Sequence, residues 1–202
     1  LLPSGNDAAI VLSDCDLERT LSGVLWGAFT NSGQNCAAIE RVYVAAGIYD
    51  AFVSRLVAMA SAIEVAPLAT EAQDAIVRAH LSDAEARGAR IHGAYPGAVV
   101  LTEVPEDAKV LREETFGPVA PIIVYDDVDQ VIDLANDTNY GLAAYVYTND
   151  LSTAIRAMEG LRFGIIGIND VNPTSAAAPF GGMNDSGLGR EGGREGIAEY
   201  LE

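Results

Sequence analysis

VAPIIVYDDVDQVIDLANDTNYGLAAYVYT, residues 119–148, is the stretch that decides the fold class. Its first seven residues form an apolar, β-branched run typical of a buried strand. Asp126 or Asp127 can then cap a helix. The apolar positions of that helix recur on one face, at Val128, Val131, Ile132 and Ala135. A second apolar run over 143–148 predicts another strand, so this stretch indicates a strand–helix–strand unit with parallel strands.

The same alternation extends along the remaining chain. Further strands are predicted at 8–12, 41–45, 99–104 and 163–168. Further helices are predicted from Asp14 or Asp16 to Phe29, over 48–63, from Thr70 to Gly88, from an Asn149 cap to Gly160, and over 194–201. Thr70 and Gln73 have the spacing of a capping box. The pattern predicts one α/β domain over residues 1–202, a three-layer, mostly parallel sheet with helices on both faces.

Composition excludes several classes of protein. The 202 residues are 50% hydrophobic and carry a net charge of −17. That charge repels nucleic acid and anionic lipid, so neither is an expected partner. No apolar run reaches the length of a membrane span, and no signal peptide is visible.

The few cysteines and histidines argue against a disulfide framework and against a metal site. Two cysteines, Cys15 and Cys36, do not form a disulfide framework, and a reducing cytoplasm is the expected location. Two histidines, His80 and His92, lack partners at metal-ligand spacing, so no metal site is predicted. We expect His80 to lie on a helix in a packing or solvent-facing role.

Cys36 follows a polar, glycine-containing stretch that suits an exposed side chain. A helix beginning near Cys36 would favour its reactive thiolate through the helix dipole. A buried, inert cysteine is the other interpretation, and the spacing does not decide between them. Cys15 is the weaker nucleophile candidate because Asp14 and Asp16 disfavour a further negative charge beside it.

Two other motifs can be read as ordinary loops or turns without a functional role. The segment EETFGP, residues 113–118, could be an ordinary acidic loop. Residues 187–192 fit G-x-G-x-x-G, but they do not directly follow a predicted strand. No acidic residue can lie about 20 positions further on, because the sequence ends at Glu202. We expect a turn before the last helix rather than a dinucleotide site.

Four segments in order resemble the aldehyde dehydrogenase superfamily. NSGQNC (31–36) resembles its nucleophile segment, and EETFGP (113–118) its E-E-x-F-G-P motif. APFGG (178–182) and SGLGRE (186–191) resemble its C-terminal signatures. The match runs from about residue 5 to the end.

The resemblance implies NAD- or NADP-dependent oxidation of a small aldehyde. Cys36 would be the nucleophile, passing through a thiohemiacetal and a thioester, with its backbone N–H binding the oxyanion. Glu114, Phe116 and Phe180 match residues that contact the nicotinamide ribose or ring. Gln34, Asn35 and the stretch 172–177, which begins at Asn172, match residues that line the family's aldehyde pocket. Gly33 lies in the turn that presents the nucleophile.

The sequence also departs from the family pattern. Leu2 stands where the family's general base, a glutamate, is expected. Asn184 replaces a common lysine, and the connections 63–67 and 93–99 are short. We expect the family's cofactor-binding domain and its oligomerisation strand to be absent from these 202 residues.

Three functions therefore remain open from sequence. The first is the catalytic half of an aldehyde dehydrogenase, completed by a partner chain. The second is a non-catalytic remnant or interaction module that self-associates through the exposed cofactor-domain face. The third is a thiol esterase that needs no NAD, although no base is evident near Cys36.

Overall fold

A computed structural model describes residues 4–201. The seven strands are β1 (Asp7–Val11), β2 (Ile39–Ala45), β3 (Arg90–Gly93), β4 (Val99–Thr102), β5 (Val119–Tyr125), β6 (Ala143–Tyr147) and β7 (Ile165–Ile168). The helices are α1 (Leu17–Phe29), α2 (Tyr49–Ala60), α3 (Glu71–Ala86), α4 (Lys109–Arg112), α5 (Val128–Asn136), α6 (Leu151–Gly160) and α7 (Glu195–Ala198). Short 3-10 turns span Thr30–Gly33, Ala46–Ile48 and Asn184–Ser186.

The strands form one sheet in the order β3-β4-β5-β2-β1-β6-β7. Every neighbouring pair is parallel except β3 and β4, which form an antiparallel edge. The predicted mostly parallel α/β sheet is therefore confirmed. The edge strand β3 was not predicted, because its four residues are exposed or half-buried and show no apolar run.

Helices cover both faces of the sheet, as the alternation predicted. Ala9 and Val11 of β1 pack with α1 and α2 in one core. Ala8 and Ile10, which point the other way, pack with α5 and α6 in a second core. A third core joins α3 and α4 to the β4–β5 edge. A central parallel strand buried on both faces is mostly apolar, and all five residues of β1 are buried, with Asp7 as the one charged residue among them.

The helix caps explain where the helices begin. Asp16 and Asp127 accept hydrogen bonds from the backbone amides of Arg19 and Gln130. Thr70 accepts one from Gln73, but the Gln73 side chain bonds Thr115 O at 2.7 Å instead of closing the capping box. The prediction that Asn149 caps α6 is wrong.

Asp150 is the residue that caps α6, because its carboxylate accepts from Ser152 and Thr153. Asn149 bonds Asp14 instead. The predicted helix over 194–201 is also shorter than expected, at Glu195–Ala198. No helix in the described part of the chain is long and apolar enough to cross a membrane.

Candidate active site

A cleft of about 400 Å³ opens beside Cys36. Trp26 on α1 and Tyr145 on β6 line it. The segment after β7 contributes residues 171–176, Phe180 and Glu191 to the lining. The long segment that lacked a sequence period, residues 169–193, thus forms much of this cleft.

The turn before Cys36 has three consecutive residues in the left-handed backbone region, which glycine adopts most easily. After α1 ends, Asn31, Ser32 and Gly33 have φ values of 52°, 60° and 72°. A Cβ on Gly33 would lie 2.1 Å from the Gly117 carbonyl oxygen. The Ser32 hydroxyl donates to Ala66 O at 2.8 Å. The nucleophile segment and the 113–118 segment therefore pack backbone against backbone.

No helix begins at Cys36, so the possible helix-dipole effect on its thiol does not apply. Cys36 lies in a turn that leads into β2, and Asn35 Oδ1 accepts from Ala37 N at 3.1 Å in that turn. The Tyr145 hydroxyl donates to Ala37 O at 2.6 Å, which fixes the other side of the turn.

The surroundings of Cys36 disfavour its thiolate. The side chain is half-buried, and burial raises the pKa of the thiol, with a further rise from the carboxyl groups of Asp7 and Glu191. The backbone amides of Cys36 and Ala37 oppose that shift. Burial also raises the pKa of Cys15. Reaction at neutral pH therefore requires a group that lowers the pKa of Cys36, or a minor thiolate population.

Glu40, which sequence analysis missed, organises the 113–118 segment. Its buried carboxylate accepts from Thr115 N at 2.8 Å, Phe116 N at 2.6 Å and Asn6 Nδ2 at 3.1 Å. These bonds hold Phe116 at a φ of 47°. Burial nevertheless raises the pKa of Glu40 to about 7, against the effect of those donors.

Glu114 lies close to the Cys36 turn through Gly5. Its Oε1 accepts from Gly5 N at 2.9 Å, and burial raises the pKa of its carboxyl group. A Cβ on Gly5 would lie 2.9 Å from the Cys36 carbonyl oxygen. Glu114, Gly5 and the backbone of Cys36 are therefore successive neighbours.

A buried polar cluster beneath the turn was also missed. Arg41 is buried, and its guanidinium donates to backbone carbonyls of Asn6, Leu134 and Ala135. Asp7 Oδ1 accepts from Ala143 N at 3.1 Å, and burial raises the pKa of Asp7 well above its ordinary value. The sequence did offer one signal of this cluster, the charged pair Glu40-Arg41 at the start of a buried strand, because charged residues are rarely buried.

Phe180 and Glu191 are paired across the C-terminal segment. Each backbone N–H donates to the other's carbonyl at 2.7 Å, which holds both residues at the cleft. Gly187, Gly189 and Gly192 have φ values of 101°, 85° and 68°, so the G-x-G-x-x-G stretch is a series of turns. It follows no strand directly, as the sequence indicated.

Comparison with known proteins identifies the family. The aldehyde dehydrogenase family model matches residues 1–202. The chain belongs to the aldehyde dehydrogenase family. An Escherichia coli succinate-semialdehyde dehydrogenase [NADP(+)] is 42% identical over 98% of the chain, and a Pseudomonas putida 3-sulfolactaldehyde dehydrogenase is 40% identical over the same share.

Solved structures agree with this assignment. The crystal structure of an E. coli NADP-dependent enzyme superposes with a TM-score of 0.94 at 41% identity, over 98% of this chain and 45% of that one. A Bacillus cereus aldehyde dehydrogenase in complex with NAD+ gives 0.94 at 34% identity, over 98% of this chain and 44% of that one. The chain spans about 45% of the length of the two curated relatives.

The aldehyde dehydrogenase fold brings four of the predicted site residues together. Cys36, Asn35, Asn172 and Phe180 all line the cleft. Gln34 is not among the described residues that do so, because its Oε1 accepts from Ala69 N at 2.8 Å.

The remaining sequence predictions have separate outcomes. Glu114 and Phe116 lie on the 113–118 segment, outside the described lining of the cleft. His80 is buried and pairs with Thr115 Oγ1 at 3.1 Å, which confirms a packing role. Within residues 4–201 no histidine, cysteine, aspartate or glutamate cluster could hold a metal ion. Leu2, at the expected position of the general base, lies outside the described residues.

Proposed function

We propose that this chain carries the nucleophile of an aldehyde dehydrogenase that oxidises an aldehyde to a carboxylic acid. The observation that carries the proposal is the position of Cys36, which lines the cleft and follows a turn packed against the 113–118 segment. Family membership supplies the reaction class. Relatives are named as succinate-semialdehyde and glutarate-semialdehyde dehydrogenases, so a non-catalytic module is not favoured.

In the proposed reaction, the Cys36 thiolate forms a C–S bond to the aldehyde carbon. The carbonyl π electrons move to oxygen, and the backbone N–H of Cys36 donates a hydrogen bond to that oxyanion. Oxidation of this thiohemiacetal gives a thioester on Cys36. NAD or NADP, when bound, would supply the hydride acceptor for that oxidation.

Three residues of this chain fit a nicotinamide nucleotide. Phe180 borders the cleft and offers an aromatic face near the reacting carbon. Glu114 uses Oε1 to accept from Gly5 N, and its Oε2 suits a ribose hydroxyl donor. Phe116, held by Glu40, would pack beside the nicotinamide. We propose that polypeptide outside these 202 residues supplies the rest of the nucleotide site.

Asn35 and Asn172 are proposed to contact the aldehyde, since both line the cleft. Gln34 is proposed to act indirectly, by fixing the turn through its bond to Ala69.

Hydrolysis of the thioester requires a base to take a proton from water. With Leu2 at the expected glutamate position, we propose that the thioester persists on this chain. A reducing cytoplasm would keep both thiols free.

The proposal is tested by intact-mass spectrometry after incubation with an aldehyde and NAD or NADP. A thiohemiacetal adds the full mass of the aldehyde, whereas a thioester adds that mass less two hydrogen atoms. Once the polypeptide that completes the nucleotide site is present, we expect the thioester increment on wild type and on Cys15→Ala, and no increment on Cys36→Ala. An increment that survives Cys36→Ala would refute the assignment of the nucleophile.

A further inference from the structure

The cleft beside Cys36 has an unusual charge for an enzyme related to semialdehyde dehydrogenases. Within residues 4–201, no lysine, arginine or histidine lines it. Its one charged side chain is that of Glu191, whose backbone is held by two hydrogen bonds to Phe180. An anion bound in the described part of the cleft would therefore face one carboxylate and no cationic side chain.

Two arginines near the cleft residues in sequence are engaged elsewhere, and a third, Arg194, lies two positions after Gly192, is exposed and does not line the cleft. Arg190 precedes Glu191, but its Nη1 donates to Gly182 O at 3.0 Å and Gly189 O at 2.7 Å. Arg41 follows Cys36 by five positions, but it is a buried residue of β2 and bonds backbone carbonyls. Neither guanidinium could turn to the cleft without leaving those carbonyls unsatisfied.

An anionic group in this cleft would meet net repulsion. The charge that it would meet is the carboxylate of Glu191. Proteins bind carboxylate and sulfonate groups chiefly with arginine or lysine, because these provide charge-assisted donors. Succinate semialdehyde and 3-sulfolactaldehyde, for which two relatives are named, each carry such an anionic group.

The other lining groups suit an uncharged molecule. Trp26, whose side chain is 44% exposed, and Val171 present apolar surface. Asn35, Thr174 and Ser175 contribute carboxamide and hydroxyl groups around it. An aliphatic body with an occasional hydroxyl group matches this combination.

We propose that this chain takes uncharged aldehydes and discriminates against aldehydes that carry a second, anionic group. The aliphatic part of the substrate packs on Trp26 and Val171, and Glu191 repels a terminal carboxylate or sulfonate. This inference rests on the proposed function, since it concerns the substrate of the same nucleophile.

The test compares two alkylating reagents that differ in charge, iodoacetamide and iodoacetate, and needs no cofactor. The rate constant for Cys36 with each is normalised to that of glutathione, in the Cys15→Ala background at low salt. One unit charge about 4 Å away is worth roughly 1 kcal/mol in water, so we expect a preference for iodoacetamide of about fivefold or more. We also expect butanal to protect Cys36 at lower concentration than succinate semialdehyde.

Charge variants assign the effect to the cleft. Glu191→Gln should reduce the preference, and Thr174→Arg should reduce it further or reverse it. Glu159→Gln removes the same charge from an exposed position on α6 and should leave the preference unchanged.

Two outcomes have different meanings. Normalised rates that are equal for the two reagents, or better protection by succinate semialdehyde, would overturn the substrate inference alone. A Cys36 that reacts with neither reagent would overturn the proposed function, and the substrate inference with it.

Discussion

Replacing Gly33 with alanine should separate the two reasons why the Cys36 turn requires glycine. The backbone of Gly33 has a φ of 72°, which costs a residue with a Cβ roughly 1–2 kcal/mol. The new Cβ would also lie 2.1 Å from Gly117 O and 2.4 Å from Gly117 C, which are backbone atoms that cannot rotate away. One of the two segments must move.

Two other glycines provide matched controls for these effects. Gly88 has a φ of 104°, but a Cβ there would meet nothing within 4 Å. Gly47 has neither a left-handed backbone nor a neighbour within 4 Å. We expect Gly47→Ala to change the free energy of unfolding by no more than about 0.5 kcal/mol, and Gly88→Ala to lower it by roughly 1–2 kcal/mol.

Gly33→Ala should lower the free energy of unfolding by about 3 kcal/mol or more, since strain and overlap add. Urea denaturation of the three variants at one pH measures these differences, and an unchanged m-value shows that the comparison is valid. The iodoacetamide rate of Cys36 should change only in Gly33→Ala. The reasoning would be refuted if Gly33→Ala were no more destabilising than Gly88→Ala.

Two further predictions concern buried polar groups. The pKa of Glu40 is raised from 4.5 to about 7, so the folded state holds its proton more tightly than the unfolded state does. The free energy of unfolding of wild type should therefore fall, relative to Glu40→Gln, by roughly 3 kcal/mol as pH rises from about 4.5 to above 7. Urea titrations across this range check it, and parallel pH profiles for the two proteins would contradict it. Tyr145→Phe removes the hydroxyl that donates to Ala37 O and should cost about 1 kcal/mol in the same assay. A neutral result would show that this bond does not hold the turn.

The layers of the fold were predictable because apolar periodicity follows burial. The central strand β1 and helix α5 were found from their apolar positions, and both lie in the observed cores. The edge strand β3 was not, because its burial is partial and its pairing with β4 is set by the hairpin. The cap of α6 was misplaced by one residue, since Asn149 and Asp150 both suit a cap and only the contact with Asp14 separates them.

The site was predictable only where a motif carries it. The nucleophile segment identified Cys36 and Asn35, and a C-terminal signature identified Phe180. The family resemblance assigned Asn172 to the aldehyde pocket, and the fold brings all four to one cleft. The roles of Glu40, Asp7 and Arg41 were not predictable, because a charged residue is expected at the surface unless its partners are known. Those partners are backbone atoms from distant segments, such as Thr115 N and Ala143 N.

The central claim is that Cys36 is the nucleophile of the cleft, and an activated ester tests it without a cofactor. Rapid mixing with 4-nitrophenyl acetate should release a single equivalent of nitrophenolate per chain and leave an acetyl group on Cys36, located by peptide mapping. Later turnover should be very slow, because the thioester lacks a base. The burst should persist in Cys15→Ala and vanish in Cys36→Ala. A burst that persists in Cys36→Ala, or an acetyl group found only on Cys15, would contradict the account.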